Sequence, residues 1–117
     1  MQNYKDLKVW EKAHHSALTI YGLTKDFPKE EQYNLVSQIR RSALSIPTNI
    51  AEGAGKHTNA DFAKFLQIAL GSAHEVEYLL LFSFELKLLK NGDYELIAKK
   101  IGEVKAMLIS LIKKVRT

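Results

Sequence analysis

The stretch RRSALSIPTNIAEG, residues 40–53, decides the fold of this 117-residue chain. Apolar residues keep steps of three and four on both sides of its proline, at Val36, Ile39, Ala43, Ile46 and Ile50. This spacing predicts one face of an α-helix. A proline inside a helix removes one backbone hydrogen bond and costs about 3 kcal/mol. Because the periodicity continues past Pro47, we predict a helix that is kinked there and does not end there.

Three further segments show helical periodicity, and no segment shows the alternation typical of a β-strand. Thr58 followed by Asp61 predicts a capped helix start, and Asn91-Gly92 predicts a helix stop. Phe27-Pro28 ends the first helix, because the residue before a proline avoids the helical region. The predicted helices run from Leu7 to Asp26, Glu30 to Ala54, Asn59 to Lys90 and Asp93 to Val115.

Each predicted helix has one apolar row, and the connections between the helices are short. We therefore predict a single all-α domain over residues 1–117, an antiparallel up-down four-helix bundle with a long third helix. Beside the second-helix row, the predicted core residues are Trp10, Ala13, Ala17, Ile20 and Thr24 in the first helix, Phe62, Leu66, Ala69, Ala73, Val76, Leu80 and Phe84 in the third, and Tyr94, Ile97, Ile101, Val104, Leu108, Leu111 and Val115 in the fourth.

The composition is that of a globular protein, with 46% hydrophobic and 26% charged residues. There is no cysteine, which excludes disulfides and cysteine-ligated metals. The first residues lack the apolar core of a signal peptide, and no apolar run approaches the ~20 residues of a membrane span. We expect a cytoplasmic protein with no role at a membrane.

The formal net charge is +4, which permits an anionic partner without requiring one. Arg40 and Arg41 precede the proline, and Lys56 follows the helix end. We take these three residues as candidate nucleic-acid contacts, since arginine binds phosphate in a bidentate way. Ion pairs of the arginines with Glu52 or Glu75 are the structural alternative. No aromatic stacking platform is evident near these charges, so we predict contacts to the nucleic-acid backbone.

The sequence offers no catalytic, metal or cofactor site. Glu11-x-x-His14 has the spacing found in di-iron bundles, but those sites need a second such motif and two further glutamates. No second motif exists, because Gly71 stands three residues before His74. The segment around Gly53 and Lys56 lacks the spacing of a phosphate-binding P-loop and has no preceding strand. We therefore expect a protein that is not an enzyme and holds no cofactor.

The third predicted helix carries more apolar surface than one bundle can cover. Residues 78–82 are consecutive apolar or aromatic residues, and at ~100° per residue they surround the helix. Large apolar patches mark interfaces. We predict self-association through Tyr78, Leu79, Leu81 and Phe82.

Three segments resemble the four helix bundle protein family, the 23S rRNA intervening-sequence proteins. They are Tyr4-Lys5-Asp6-Leu7-Lys8-Val9-Trp10-x-Lys12-Ala13 at the start, Ser37-Gln38-Ile39-Arg40-Arg41-Ser42-Ala43-x-Ser45-Ile46-Pro47-x-Asn49-Ile50-Ala51-Glu52-Gly53 in the second helix, and Phe62-x-x-Phe65-Leu66-x-Ile68-Ala69-x-Gly71-Ser72-x-x-Glu75-x-Glu77 in the third. The resemblance covers residues 4 to about 90.

The resemblance implies a gene within, or related to those within, the intervening sequences of bacterial large-subunit rRNA genes. It also implies kinship with the accessory variability determinant of diversity-generating retroelements, a basic pentameric ring that binds nucleic acid and a reverse transcriptase. Carried over to this chain, it implies a homopentamer with nucleic-acid contacts at Arg40, Arg41 and Lys56. The family supplies no catalytic residues.

The leading hypothesis is a non-enzymatic, oligomeric bundle that binds RNA or an RNA/DNA intermediate. The alternative is a protein-interaction scaffold, a ring that docks a protein such as a reverse transcriptase or a ribosome-associated protein without contacting nucleic acid. Salt-dependent binding favours the first, because phosphate contacts release counterions.

Overall fold

The computed structural model describes residues 2–117, and the secondary structure it describes is entirely helical. The four helices are α1 (Lys8–Thr24), α2 (Ser37–Ala54), α3 (Asn59–Glu85) and α4 (Asn91–Arg116). Short 3₁₀ turns at Tyr4–Asp6 and Lys29–Glu31 precede α1 and α2, and a π-helical segment, Gln32–Val36, leads directly into α2. The predicted all-α four-helix architecture with a long third helix is confirmed.

Consecutive helices are neighbours, and α1 also packs on α4, so the four helices enclose one core. The molecule is elongated, with extents of 43 × 24 × 19 Å. The start of α1 meets the end of α2, where the Gln2 amide donates to the Ala54 carbonyl at 2.7 Å. At the far end, Phe84 near the close of α3 stacks on Tyr94 at the start of α4. These pairings define the antiparallel arrangement.

The predicted apolar rows form most of the core. All five residues of the second-helix row are buried, and so are Ile97, Ile101, Val104 and Leu108 of α4. A few predicted core residues are only half-buried because they sit at the edge of their row: Trp10, Phe84, Tyr94, Leu111 and Val115. Val9, Leu79 and Ile112 are buried although the rows omitted them.

Helix α2 continues through Pro47, as the periodicity predicted, and the ring is buried. Pro47 has no N–H to donate to the carbonyl of Ala43, four residues back. The two residues after the proline bond to the next two carbonyls: the Thr48 hydroxyl donates to Leu44 and the Asn49 amide donates to Ser45, each at 2.8 Å. Side-chain bonds of this kind favour bending of a helix. The predicted kink itself stays a prediction.

Gly53 allows the last turn of α2 to lie directly on α3. A Cβ atom at this position would come within 2.8 Å of Phe65 Cβ and 3.0 Å of Phe62 Cδ1. Contacts this short require a shift of the neighbouring helix. Gly53, the last residue of the opening motif, therefore has a packing role, and Gly55, two residues later, is the C-cap of α2.

The turn between α3 and α4 differs from the prediction. Helix α3 ends at Glu85, and Lys87 adopts a left-handed conformation with φ 65°. The Lys87 amide donates to Phe84 and the Leu88 amide to Ser83, which is the hydrogen-bond pattern of a Schellman motif. The prediction of Asn91-Gly92 as the stop is wrong, because both residues belong to the first turn of α4.

Polar contacts link the helices at mid-height. Ser45 of α2 and Ser72 of α3 share a hydrogen bond of 2.8 Å, and Asn49 donates to Ser45 Oγ at 3.0 Å. Lys105 of α4 contacts both carboxylate oxygens of Glu77 on α3, at 2.9 and 3.0 Å.

The Thr58 hydroxyl accepts a hydrogen bond from the Asp61 amide, so the predicted cap of α3 is confirmed. Within residues 2–117, none of the helices combines the length and apolarity that crossing a bilayer would require.

Candidate nucleic-acid interface

The antiparallel fold brings distant parts of the chain together at each end of the bundle. One end, here named the basic end, comprises residues 2–10, 48–64 and 110–117. Its segments are in contact: one concavity is lined by Lys8 and Lys114, and another by Asn59 and Arg116. The other end, here named the neutral end, comprises residues 18–41 and 79–97.

The whole formal net charge of the chain resides at the basic end. This end carries the acids Asp6, Glu52 and Asp61 against seven cations, which are Lys5, Lys8, Lys56, Lys64, Lys113, Lys114 and Arg116. The neutral end carries six cations and six acids, and the middle of the bundle carries four of each. A net charge of +4 that is modest over the chain is therefore concentrated on one small surface.

Three of these cations occupy the last turn of α4. Lys113, Lys114 and Arg116 are exposed, and their charge suits the negative end of the helix dipole. In the described part of the chain, the ion pairs are Lys12–Glu103 and Lys105–Glu77, both at mid-height. The cations of the basic end thus have no carboxylate partner within residues 2–117, and their charge is directed to solvent.

Arg40 is used inside the fold. Its Nε donates to Thr24 Oγ1 at 3.0 Å and its Nη2 donates to the Tyr21 carbonyl at 3.1 Å. The guanidinium also lies 4.6 Å from the centre of the Tyr21 ring. Arg40 therefore joins α2 to the end of α1, where a cation and a donor are both favourable. The proposed ion pair with Glu52 or Glu75 does not form within the described chain.

Arg41 points to a different side of α2, as residues adjacent in a helix do. It is exposed, and its Nη2 donates to Ser37 Oγ at 3.3 Å. Arg41 and Arg40 both line a shallow concavity that also includes Tyr21 and Tyr33. The sequence showed no aromatic stacking platform near the arginines, whereas the fold brings Tyr21 from α1 and Tyr33 from the π-helical segment to the same concavity.

Lys56 lies far from the two arginines. Thirteen residues separate Arg41 from Ala54 at the end of α2, a helical rise of about 20 Å. The Lys56 ammonium lies 5.0 Å from the centre of the Phe65 ring at the basic end. The three predicted contacts therefore do not form one patch around the bend: Lys56 joins the basic end, and the arginines belong to the neutral end.

The predicted interface residues on α3 divide into two groups. Tyr78 is 60% exposed, Phe82 44% and Leu81 39%. Leu79 is only 7% exposed and packs in the core, so within this chain it offers little surface to an interface. The helix turns Leu79 towards α2, where it lines a groove together with Tyr78, Phe82 and Leu86.

The side chains considered for metal or catalysis do not converge. Glu11 lines a groove between α1 and α4, whereas His14 stacks on Trp10 with ring centroids 4.8 Å apart. Among residues 2–117, no three histidine or acidic side chains come together as a metal site would need. The Ser45 and Ser72 hydroxyls share a hydrogen bond and the Asn49 amide donates to Ser45 Oγ, so these side chains link α2 to α3.

Sequence reasoning did not bring the cations of the basic end together on one surface, and it missed Tyr33. The signal for the first was present, since residues 92–117 carry an excess of three positive charges. An antiparallel bundle returns the end of α4 to the start of α1, which would have located that excess. Tyr33 gave no periodic signal because it lies outside the apolar rows.

The comparisons with known proteins agree on one family. A family profile described as 23S rRNA-intervening sequence protein matches residues 5–110. A solved structure from Bacteroides thetaiotaomicron, described as a protein with unknown function from the S23 ribosomal protein family, is similar with a TM-score of 0.83 and 35% identity. The match covers 90% of this chain and 95% of the other. No protein of curated function matches significantly.

Proposed function

The chain belongs to the 23S rRNA-intervening sequence protein family, and we propose that it binds nucleic acid through its basic end without catalysing a reaction. The observation that carries this proposal is the concentration of the entire +4 net charge at the basic end. The family's association with 23S rRNA makes RNA the first ligand to consider. Such binding implies a cytoplasmic location, where RNA and DNA are found.

The charge at the basic end suits contact with the phosphate backbone. Six of its seven cations are lysines, whose ammonium groups act as point charges on flexible side chains. Lysines contribute affinity and little base specificity, because phosphate contacts position a protein without reading sequence. The proposal is therefore binding of structured RNA, or of an RNA/DNA hybrid, with weak sequence preference.

The test is the salt dependence of affinity for a fluorescein-labelled RNA hairpin, measured by anisotropy. Each phosphate contact contributes about 0.9 to the slope of log K against log salt on a duplex. The variant Lys113→Gln/Lys114→Gln/Arg116→Gln should lower this slope by up to about 3 and weaken binding at least tenfold at low salt.

A matched control removes the same charge from the neutral end. Lys25→Gln/Lys29→Gln/Lys90→Gln changes three exposed lysines and should leave the affinity within about twofold. Equal losses in both triple variants would show that only net charge matters and would reject the basic end as the site. Salt-independent binding by the native chain would reject backbone contact.

The second part of the proposal is self-association through α3. Tyr78, Leu81 and Phe82 are exposed large side chains on this one helix, and Leu86 continues the surface beyond its end. Tyr78, Phe82 and Leu86 also line a groove of about 360 Å³ against the segment leading into α2. Glu31 is the one charged residue of this groove, so burying the groove against a second copy would desolvate little charge. A pentamer is the oligomer that the family resemblance implies.

Light scattering across a concentration series tests the assembly. The native chain should be an oligomer, and Tyr78→Asp/Phe82→Asp should be a folded monomer, because carboxylates are costly in an apolar interface. Leu18→Asp/Leu96→Asp is the matched control, since both leucines are exposed outside the α3 surface. A native chain that stays monomeric at all concentrations would contradict self-association.

The groove on α3 also supports the alternative function, a scaffold that docks a protein. The two functions differ in their response to the charge variants. If the native oligomer fails to bind RNA or DNA at low salt, while removing the apolar surface abolishes assembly, the scaffold is the better description. If RNA binding follows the basic end, nucleic-acid binding is the better description.

A further inference from the structure

The neutral end has a shallow concavity of about 380 Å³ that the proposed backbone contacts do not use. It lies where the π-helical segment meets the last turn of α1 and the first turns of α2. Its lining combines two arginines and two tyrosines with small neutral groups, and it contains no carboxylate: Tyr21, Gln32, Tyr33, Val36, Ser37, Arg40 and Arg41. Its volume falls within the range of small-molecule sites, about 300 to 1,000 Å³.

Arg40 is already oriented in this concavity before any ligand arrives. Its bonds to Thr24 Oγ1 and the Tyr21 carbonyl hold the guanidinium beside the Tyr21 ring. A guanidinium has five N–H donors, and these two bonds leave the Nη1 donors without a partner among the described residues. A fixed cation with unused donors binds an anion at a low entropic cost.

Tyr33 supplies a flat apolar face at the same place. The side chain is 95% exposed, the largest exposure among the bulky apolar and aromatic residues of the described chain. Its position in a π-helical segment adds to this observation, because π-bulges occur frequently at functional sites. A single exposed tyrosine is ordinary on a surface, but here it borders two arginines.

We propose that this concavity binds one unpaired nucleotide, with its phosphate at Arg40 and Arg41 and its base stacked on Tyr33. A nucleotide carries both an anionic phosphate and a flat aromatic base. Bases within a duplex are stacked on each other and offer only their edges, so a tyrosine face selects single-stranded or bulged nucleic acid. This inference rests on the proposed nucleic-acid binding and adds a preference for unpaired bases.

The test compares two fluorescein-labelled probes, a 12-nucleotide oligo(U) RNA and a 12-base-pair RNA duplex. The variant Tyr33→Ala loses base stacking, so its affinity for oligo(U) should fall about tenfold. Its affinity for the duplex should fall less than about twofold. Tyr33→Phe keeps the ring and should restore oligo(U) affinity, whereas Tyr33→Leu keeps apolar surface without the ring and should not. Since Tyr33 is exposed, these variants should fold normally.

A competition experiment separates a nucleotide site from a bare anion site. Uridine monophosphate should displace oligo(U) at a concentration at least tenfold lower than inorganic phosphate does. Equal competition by the two would overturn the stacking role of Tyr33, as would equal losses on both probes in Tyr33→Ala.

The two proposals fail differently because they use opposite ends of the bundle. If the native chain binds both probes, the basic-end triple variant weakens both, and Tyr33→Ala weakens neither, only the unpaired-nucleotide site is overturned. If the native chain binds neither probe at low salt, both proposals are overturned.

Discussion

At both the basic end and the neutral end the chain reverses direction between antiparallel helices. The two ends differ in the backbone conformation of the turn and in the side chains that hold the helices together. At the basic end, α2 passes into α3 without a left-handed residue, and the close approach is made possible by Gly53. At the neutral end, α3 passes into α4 through left-handed Lys87, and Arg40 fastens α2 to α1. The charge differs as well, since one end carries the net charge and the other is balanced.

This difference shows how a composition can mislead about electrostatics. Averaged over the chain, +4 is unremarkable for a 117-residue protein. The fold places that charge on three segments that are far apart in sequence and adjacent in space. The two arginines that stand next to each other in the sequence lie instead at the neutral end, where Arg40 is half-buried and joins α2 to α1.

The largest effect on stability is expected from a substitution that disturbs the helix packing at the basic end. Gly53→Ala should destabilise the chain by about 2 kcal/mol, because overpacking a tight helix contact outweighs the gain in helix propensity. Gly102→Ala is the matched control: this mid-helix position in α4 has open space, and alanine should stabilise it by about 0.5 kcal/mol. Urea unfolding followed by circular dichroism measures both, and the same sign for both variants would contradict the role of Gly53.

A smaller effect separates the two arginines of the neutral end. Arg40→Ala should cost about 1 kcal/mol, because it removes two hydrogen bonds and the contact with the Tyr21 ring. Arg41→Ala should change the free energy of unfolding by less than about 0.5 kcal/mol, since Arg41 makes one long bond at the surface. Thermal unfolding distinguishes them, and equal stability of the two variants would reject the fastening role of Arg40.

The smallest effect concerns the α3–α4 turn. Lys87→Gly should stabilise the chain by about 0.5 kcal/mol, because glycine removes the left-handed strain but gains unfolded-state entropy. Lys87→Ala removes the same charge and keeps the Cβ atom, so it should give no gain. Chemical denaturation checks the pair. If alanine stabilises as much as glycine, the lysine charge and not the backbone conformation is responsible.

The sequence predicted the helices better than their ends. The steps of three and four continue through Pro47 because burial of one face is a property of the whole helix, and a proline interrupts only one bond. Asn91-Gly92 suggested a stop because these residue types are common there, yet the Schellman motif formed around Lys87. Burial of Leu89 in the connection favours that earlier turn and outweighs the local preference for glycine.

For the candidate site too, the sequence predicted which residues to consider, and the tertiary structure decided their surroundings. Arg40, Arg41 and Lys56 were found by residue type, but their roles depend on neighbours that the sequence places far away. Arg40 donates hydrogen bonds to Thr24 and Tyr21, and the Lys56 ammonium lies over the Phe65 ring. Leu79 and Phe82 seemed alike in a run of apolar residues, and the rotation of α3 buried one and exposed the other.

By itself, the sequence determined the all-α architecture, the apolar rows, the family and the apolar excess of α3. These follow from local periodicity and from motifs within single helices. Only the tertiary structure decided which cations share a surface, which arginine joins two helices, and that Tyr33 and Arg41 line one concavity. Electrostatic and binding surfaces join residues from different helices, so they depend on the antiparallel packing and not on the order of residues along the chain.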